Sequence, residues 1–149
     1  MLSRRGKRDG AEISPRPYTG FHQRKIMRDR TVVHTRHVLA VHDLAAEKEH
    51  YIDKLGFDHD FSAPGWEFLS FGAFKVMMGD CPDALPAIET GDHSYFAHVL
   101  VENVDDVYGE LRERGAEIII PIANKPWGLR EFSVVTPNGH RLTYGQLLV

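Results

Sequence analysis

His98, Arg130, Glu131 and Trp127 are the side chains of this chain whose types and placement could do chemistry. A histidine titrates near neutral pH, so His98 suits proton transfer or ligand binding, or else a core position held by one hydrogen bond. Arg130 and Glu131 are neighbours in Leu129–Val135, a run whose β-branched and apolar residues read as a strand. Strand side chains alternate, so one of the pair faces a site and the other a rim or a partner chain; paired charges on an edge strand are the alternative. Trp127 follows Pro126 in a loop, where a large aromatic can cover an apolar pocket or make a satellite contact. Cys81 precedes Pro82 with no base beside it and reads as an inert or merely exposed thiol. The chain holds nine histidines, yet none pairs at the i, i+2 spacing of strand ligands. It shows no nucleophile elbow, phosphate-binding loop or dinucleotide fingerprint.

The elements that must position these residues repeat. Thr31–Val41 predicts a strand. Asp43 can cap a helix over Leu44–Leu55, with Leu44, Tyr51, Ile52 and Leu55 on one face, and Gly56 ends it. Phe57–Phe61 reads as a strand, Ala63-Pro64-Gly65 as a turn, and Trp66–Phe71 with Ala73–Met78 as a hairpin around Gly72. Gly79–His93, with Pro82, Pro86 and Gly91, reads as a linker. The pattern then restarts: a strand at Tyr95–Val101, then a helix capped by Asn103. In that helix Val104, Val107, Tyr108 and Leu111 fall at i, i+3, i+4 and i+7. Gly115 stops it; a strand Glu117–Pro121 follows, then a hairpin turning at Pro137-Asn138-Gly139. Val41-His42-Asp43-Leu44 matches Val101-Glu102-Asn103-Val104, a repeat of sixty residues. Each half is βαβββ, too small to bury a core alone.

Composition bounds the rest. Residues 1–30 hold nine basic and three acidic side chains, a net +6; residues 31–149 hold nine and eighteen, a net −9. The domain boundaries are therefore 1–30, a flexible basic extension, and 31–149, one domain with modules at 31–80 and 94–149. An acidic domain argues against nucleic acid as a partner, and no apolar run is long enough for a membrane span. One cysteine excludes an internal disulfide and fits a reducing compartment, so the expected location is cytoplasmic.

Two βαβββ modules, Val-x-Asp-Leu at the first helix start, Leu55-Gly56-Phe57 after it, and the final Pro137-Asn138-Gly139-His140 turn resemble the vicinal oxygen chelate superfamily. This is the glyoxalase, bleomycin-resistance and dioxygenase group. Pro126-Trp127-Gly128-Leu129-Arg130-Glu131-Phe132 is most similar to its bleomycin-resistance-like branch. The resemblance covers Arg36–Gln146 and implies an α+β fold, with two paired βαβββ modules forming a curved mixed sheet around a cavity. It also implies metal ligands at four places, which here hold Arg36, Phe96, Thr143 and, in the fourth strand, Met77 or Met78. A guanidinium repels a metal and a thioether is a poor ligand for hard ions, so the expectation is no cofactor, with a divalent metal as the alternative.

With Arg36 facing inward, strand alternation sends Val38 and Ala40 inward too, and turns Leu39 and Val41 toward the helix. Phe96, His98, Thr143 and Gly145 likewise face inward. The expected ligand-binding set is Arg36, Met77, Phe96, His98, Trp127, Arg130, Glu131 and Thr143, with Trp66 and Met78 adding aromatic and thioether surface unless they are core. The function implied by the resemblance is capture of a small organic molecule, aromatic or, given the acidic domain, cationic. A homodimer with grooves at its interface goes with it. The alternatives are a metal-dependent lyase, isomerase or dioxygenase with a shifted site at His98 and Glu131, and a scaffold whose cavity is vestigial.

Overall fold

The computed structural model describes residues 32–149; the extension assigned to residues 1–30 lies outside them. The first module runs β1 (His37–Val41), α1 (Leu44–Asp53), β2 (Asp58–Ala63), β3 (Trp66–Phe71) and β4 (Phe74–Asp80). A 3₁₀ segment over Ala87–Ser94, broken at Gly91, leads into the second. There β5 is Tyr95–Leu100, α2 Val104–Glu113, β6 Glu117–Asn124, β7 Leu129–Val135 and β8 Arg141–Leu147. Two mixed sheets result, ordered β1-β4-β3-β2 and β5-β8-β7-β6. In both, the first strand runs parallel to the last and the remaining pairs are antiparallel. The repeat read from sequence is thus a repeat of topology.

Local chemistry explains the helix starts. Asp43 accepts a hydrogen bond from Ala46 N at 3.0 Å, as its type and position predict. Asn103 stands at the matching place, but its side chain makes no capping bond. Gln146 does the work instead: its Oε1 accepts from Val104 N at 2.9 Å. The second helix is therefore capped from β8, which ties it to the sheet it covers.

One face of each sheet and the apolar side of each helix share a single core. Leu39, Val41, Leu69, Val76 and Met78 meet Tyr51 of α1 and Leu55 just past its end; Phe132, Val134, Leu142 and Tyr144 meet Val104, Val107 and Leu111 of α2. The predicted i, i+3, i+4, i+7 stripe of α2 is the stripe that is covered. Aromatic contacts join the halves, with Phe71 and Tyr144 centroids 5.7 Å apart. The opposite faces stay open. Val38 and Ala40 point there, as alternation from Leu39 requires, and Val38, Phe61, Leu100 and Leu147 are exposed. The two sheets are not hydrogen-bonded into one closed barrel.

Candidate ligand-binding site

The open face of the first sheet is an aromatic floor. Strand register sets Val38 beside Met77, Met77 beside Phe68, and Phe68 beside Phe61. A bulge between His59 and Phe61 turns Phe61 onto this face. The Phe61 and Phe68 rings stack, with centroids 4.1 Å apart and planes 15° from parallel. In the next row, Trp66 pairs with Gly79, and its indole would lie 3.0 Å from a side chain placed there. Gly79 is what lets a flat ring rest on the strand. Arg36 lies over both phenylalanines, and Asp60 stands beside it.

The open face of the second sheet is polar. His98 Nε2 meets Glu131 Oε2 at 2.9 Å. Both side chains pack on Gly145 of β8: a Cβ there would lie 3.1 Å from His98 Cε1 and 3.4 Å from Glu131 Cβ. Next to them Ser133 and Thr143 hydroxyls share a hydrogen bond of 2.8 Å. The imidazole is held by one nitrogen to a largely buried carboxylate, which leaves the other nitrogen to meet a ligand. Gly145→Ala is expected to push the imidazole off the carboxylate while leaving the fold intact. NMR of the ring checks this: the Nε2 signal of His98 should lose its hydrogen-bonded position and approach that of the Glu131→Gln variant.

Five of the eight expected residues thus occupy open faces: Arg36 and Met77 on one sheet, and His98, Glu131 and Thr143 on the other. Three do not take the expected place. Phe96 sits at a register shift between Tyr95 and Ala97, so alternation fails there. Its ring goes into the seam between modules, 6.0 Å from His37, 6.3 Å from Phe74 and 5.8 Å from His140. Arg130 points to the helix side, where it bonds both oxygens of Asp105 at 2.8–3.1 Å and Asn124 Oδ1 at 3.0 Å. Those bonds hold the Asp105 carboxyl below its usual range. Trp127 is 64% exposed, so most of its ring faces solvent. Phe61, Phe68, Asp60 and Ser133 also belong to the open faces, outside the expected set. Their signal was the alternation of β3 and β7, obscured in β2 by the bulge.

Two shallow clefts lie beside these faces. One, of about 300 Å³, runs between the start of β5 and the 3₁₀ segment and includes Val38, Phe96 and His140. The other, of about 360 Å³, lies against Leu100, Glu102 and Leu147. Burial lowers the His140 pKa, so that ring is neutral at physiological pH.

The four places where a metal is expected hold no imidazole or carboxylate, so they do not fit a hard divalent ion. His98 and Glu131 offer one of each, and no group of three or more such side chains comes together among the described residues.

Comparison with known proteins gives a consistent picture. Residues 31–144 match the family described as Glyoxalase/Bleomycin resistance protein/Dioxygenase superfamily. No curated protein sequence matches. Among solved structures, TioX from Micromonospora sp. ML1 is 25% identical with a TM-score of 0.64, covering 77% of this chain and 98% of its own. TnmS3, an antibiotic binding protein from Streptomyces sp. CB03234, is 21% identical with a TM-score of 0.64, covering 80% and 99%. A bleomycin resistance determinant encoded on the transposon Tn5 is 18% identical with a TM-score of 0.66, covering 79% and 100%. At the identities of the last two, the likeness is one of fold.

Proposed function

Because this chain belongs to the Glyoxalase/Bleomycin resistance protein/Dioxygenase superfamily, we propose that it binds a small planar organic molecule on its open sheet faces and breaks no bond in it. The observation that carries this reading is the stacked Phe61–Phe68 pair on an exposed sheet face, with Phe61 49% exposed. Aromatic surface of that kind is normally covered, and a flat ligand covers it at little entropic cost. An antibiotic binding protein and a bleomycin resistance determinant of the same fold support the reading. A second copy of the chain would complete each groove by laying a polar face of His98, Glu131, Ser133 and Thr143 over an aromatic one. The reading needs no metal and places the protein in the cytoplasm. No described helix is long and apolar enough to cross a membrane.

The test is a thermal-shift screen of the full chain with bleomycin-like, aromatic cationic and neutral aromatic compounds. A hit should weaken roughly tenfold or more, about 1.4 kcal/mol, on Phe61→Ala or Phe68→Ala. No shift with any compound favours a scaffold role. The contact between His98 and Glu131 favours a second reading, a metal-dependent lyase, isomerase or dioxygenase with a displaced site. Stoichiometric metal in purified protein, lost on His98→Ala, would establish it in place of the first.

A further inference from the structure

Arg36 precedes β1, and its guanidinium reaches across the open face of the first sheet. The guanidinium carbon lies 5.6 Å from the Phe61 centroid and 5.1 Å from that of Phe68. The side chain is only 18% exposed. Among the described residues it donates no hydrogen bond, and its Nη1 is buried without a partner. A guanidinium carries five N–H donors in a planar fork. The two rings can answer its charge, at about 0.5–1 kcal/mol for such a contact, but they accept no conventional hydrogen bond.

The nearest acid does not take the donors either. Asp60 Oδ2 stands 3.7 Å from Nη1, beyond hydrogen-bond range. The other oxygen of that carboxylate accepts from Ser70 Oγ at 2.7 Å. Asp60 therefore balances charge and leaves the fork unfilled. Lys75 lies opposite Ser70 in the β3–β4 register and brings a second cation to this face, with no ion pair among the described residues. A fixed cation with unmet donors, resting beside an aromatic floor, suits one kind of partner: a flat ring bearing oxygen with negative charge.

We infer that Arg36 is the recognition point for an anionic oxygen, a carboxylate or ionised phenol, on the planar aromatic ligand that lies along Phe68, Met77 and Val38. This rests on the reading of the open faces as the ligand site, and it replaces an expected cationic ligand with an anionic one at this end of the groove. The acidic charge of the domain as a whole does not decide the matter, because a held guanidinium acts at contact distance where long-range terms are screened.

Calorimetry of the full chain with naphthoate, naphthalenemethanol and naphthylmethylammonium tests it. Naphthoate should bind about tenfold tighter than the neutral alcohol, as charge-assisted bonds to a fixed fork imply, and the ammonium should bind most weakly. Arg36→Gln should erase the margin of naphthoate over the alcohol. Asp60→Asn should widen the margin by removing the competing carboxylate, and it decides the case if Arg36→Gln does not fold. The inference is overturned if the alcohol or the ammonium binds as tightly as naphthoate, if the margin survives Arg36→Gln, or if Asp60→Asn narrows it. If none of the three compounds binds, the reading of the open faces falls, and this inference with it.

Discussion

Glu47→Ala is expected to lower the free energy of unfolding by about 3 kcal/mol, read from the denaturant midpoint of the full chain. Glu47 lies on α1 of the first module and is 2% exposed. Its Oε1 accepts the backbone N–H of Asn138, in the turn between β7 and β8 of the second module. Asn138 reaches back in two further ways. Its Oδ1 accepts from His42 N at 3.1 Å, and its carbonyl accepts from Ile88 N at 3.1 Å. One turn of the second module is thus held by the first helix, the corner before that helix and the linker. Truncating Glu47 leaves a buried N–H unpaired and a void where the side chain was, and each term costs on the order of 1–2 kcal/mol. The slope of the denaturant curve should stay the same, because the surface exposed on unfolding is unchanged.

Glu47→Gln separates the bond from the charge. Burial raises the Glu47 pKa from its usual 4.5, against the opposing hydrogen bond from Asn138 N–H and the nearby Thr136 hydroxyl, and with a smaller push from Asp43. Tyr51, beside it, is itself pushed up by burial and stays neutral, as does Tyr144. A carboxyl whose folded pKa is raised binds its proton more tightly in the native state. Its charge therefore costs stability as pH rises from about 4.5 through the raised value, and the cost vanishes below that window. Glutamine keeps an acceptor for Asn138 and carries no charge. The variant should equal wild type at low pH and exceed it at pH values above the raised pKa. Glu67 has the opposite sign. Although burial works against its charge, hydrogen bonds from Ser62, Lys48 and His59 hold its carboxyl down to about 2. Its contribution is present above the ordinary value of 4.5 and is lost as pH falls toward 2.

The sequence shows the two modules because their signals are local. Asp43, Gly56 and Gly115 mark helix ends, Trp66–Phe71 and Leu129–Val135 alternate or run apolar, and Pro137-Asn138-Gly139 can only turn. It shows the open faces as far as strict alternation holds, which covers Val38, His98 and Thr143. Alternation breaks at the bulges, which bring Phe61 onto an open face and take Phe96 off one. Arg130 and Glu131 illustrate another limit. Their opposition is a property of any strand, but which one faces the helix depends on register, and Asp105 on α2 is what receives Arg130. Glu47 lies three residues after Leu44 and four before Tyr51, within the buried stripe of α1. A carboxylate inside an apolar stripe marks a partner brought from elsewhere in the fold.

Gly139→Ala is expected to cost about 3 kcal/mol or more, measured in the same denaturant series. Gly139 adopts φ 91°, and a Cβ built on it overlaps the backbone of Ile88 rather than a side chain that could rotate away. Gly65 provides the control. It also has positive φ, at 76°, but an added Cβ meets nothing. Gly65→Ala should therefore cost only the backbone strain, about 1 kcal/mol, and the difference between the two variants isolates the contact with the linker. Ile88 donates to Asn138, the residue Glu47 also holds, so the two junction variants are coupled. In the double variant Glu47→Ala, Gly139→Ala the losses should sum to less than the separate values by about 1 kcal/mol, since the second change strikes a turn already released. Full additivity would mean that linker and helix grip the turn independently, and the single junction described for Asn138 would have to be divided in two.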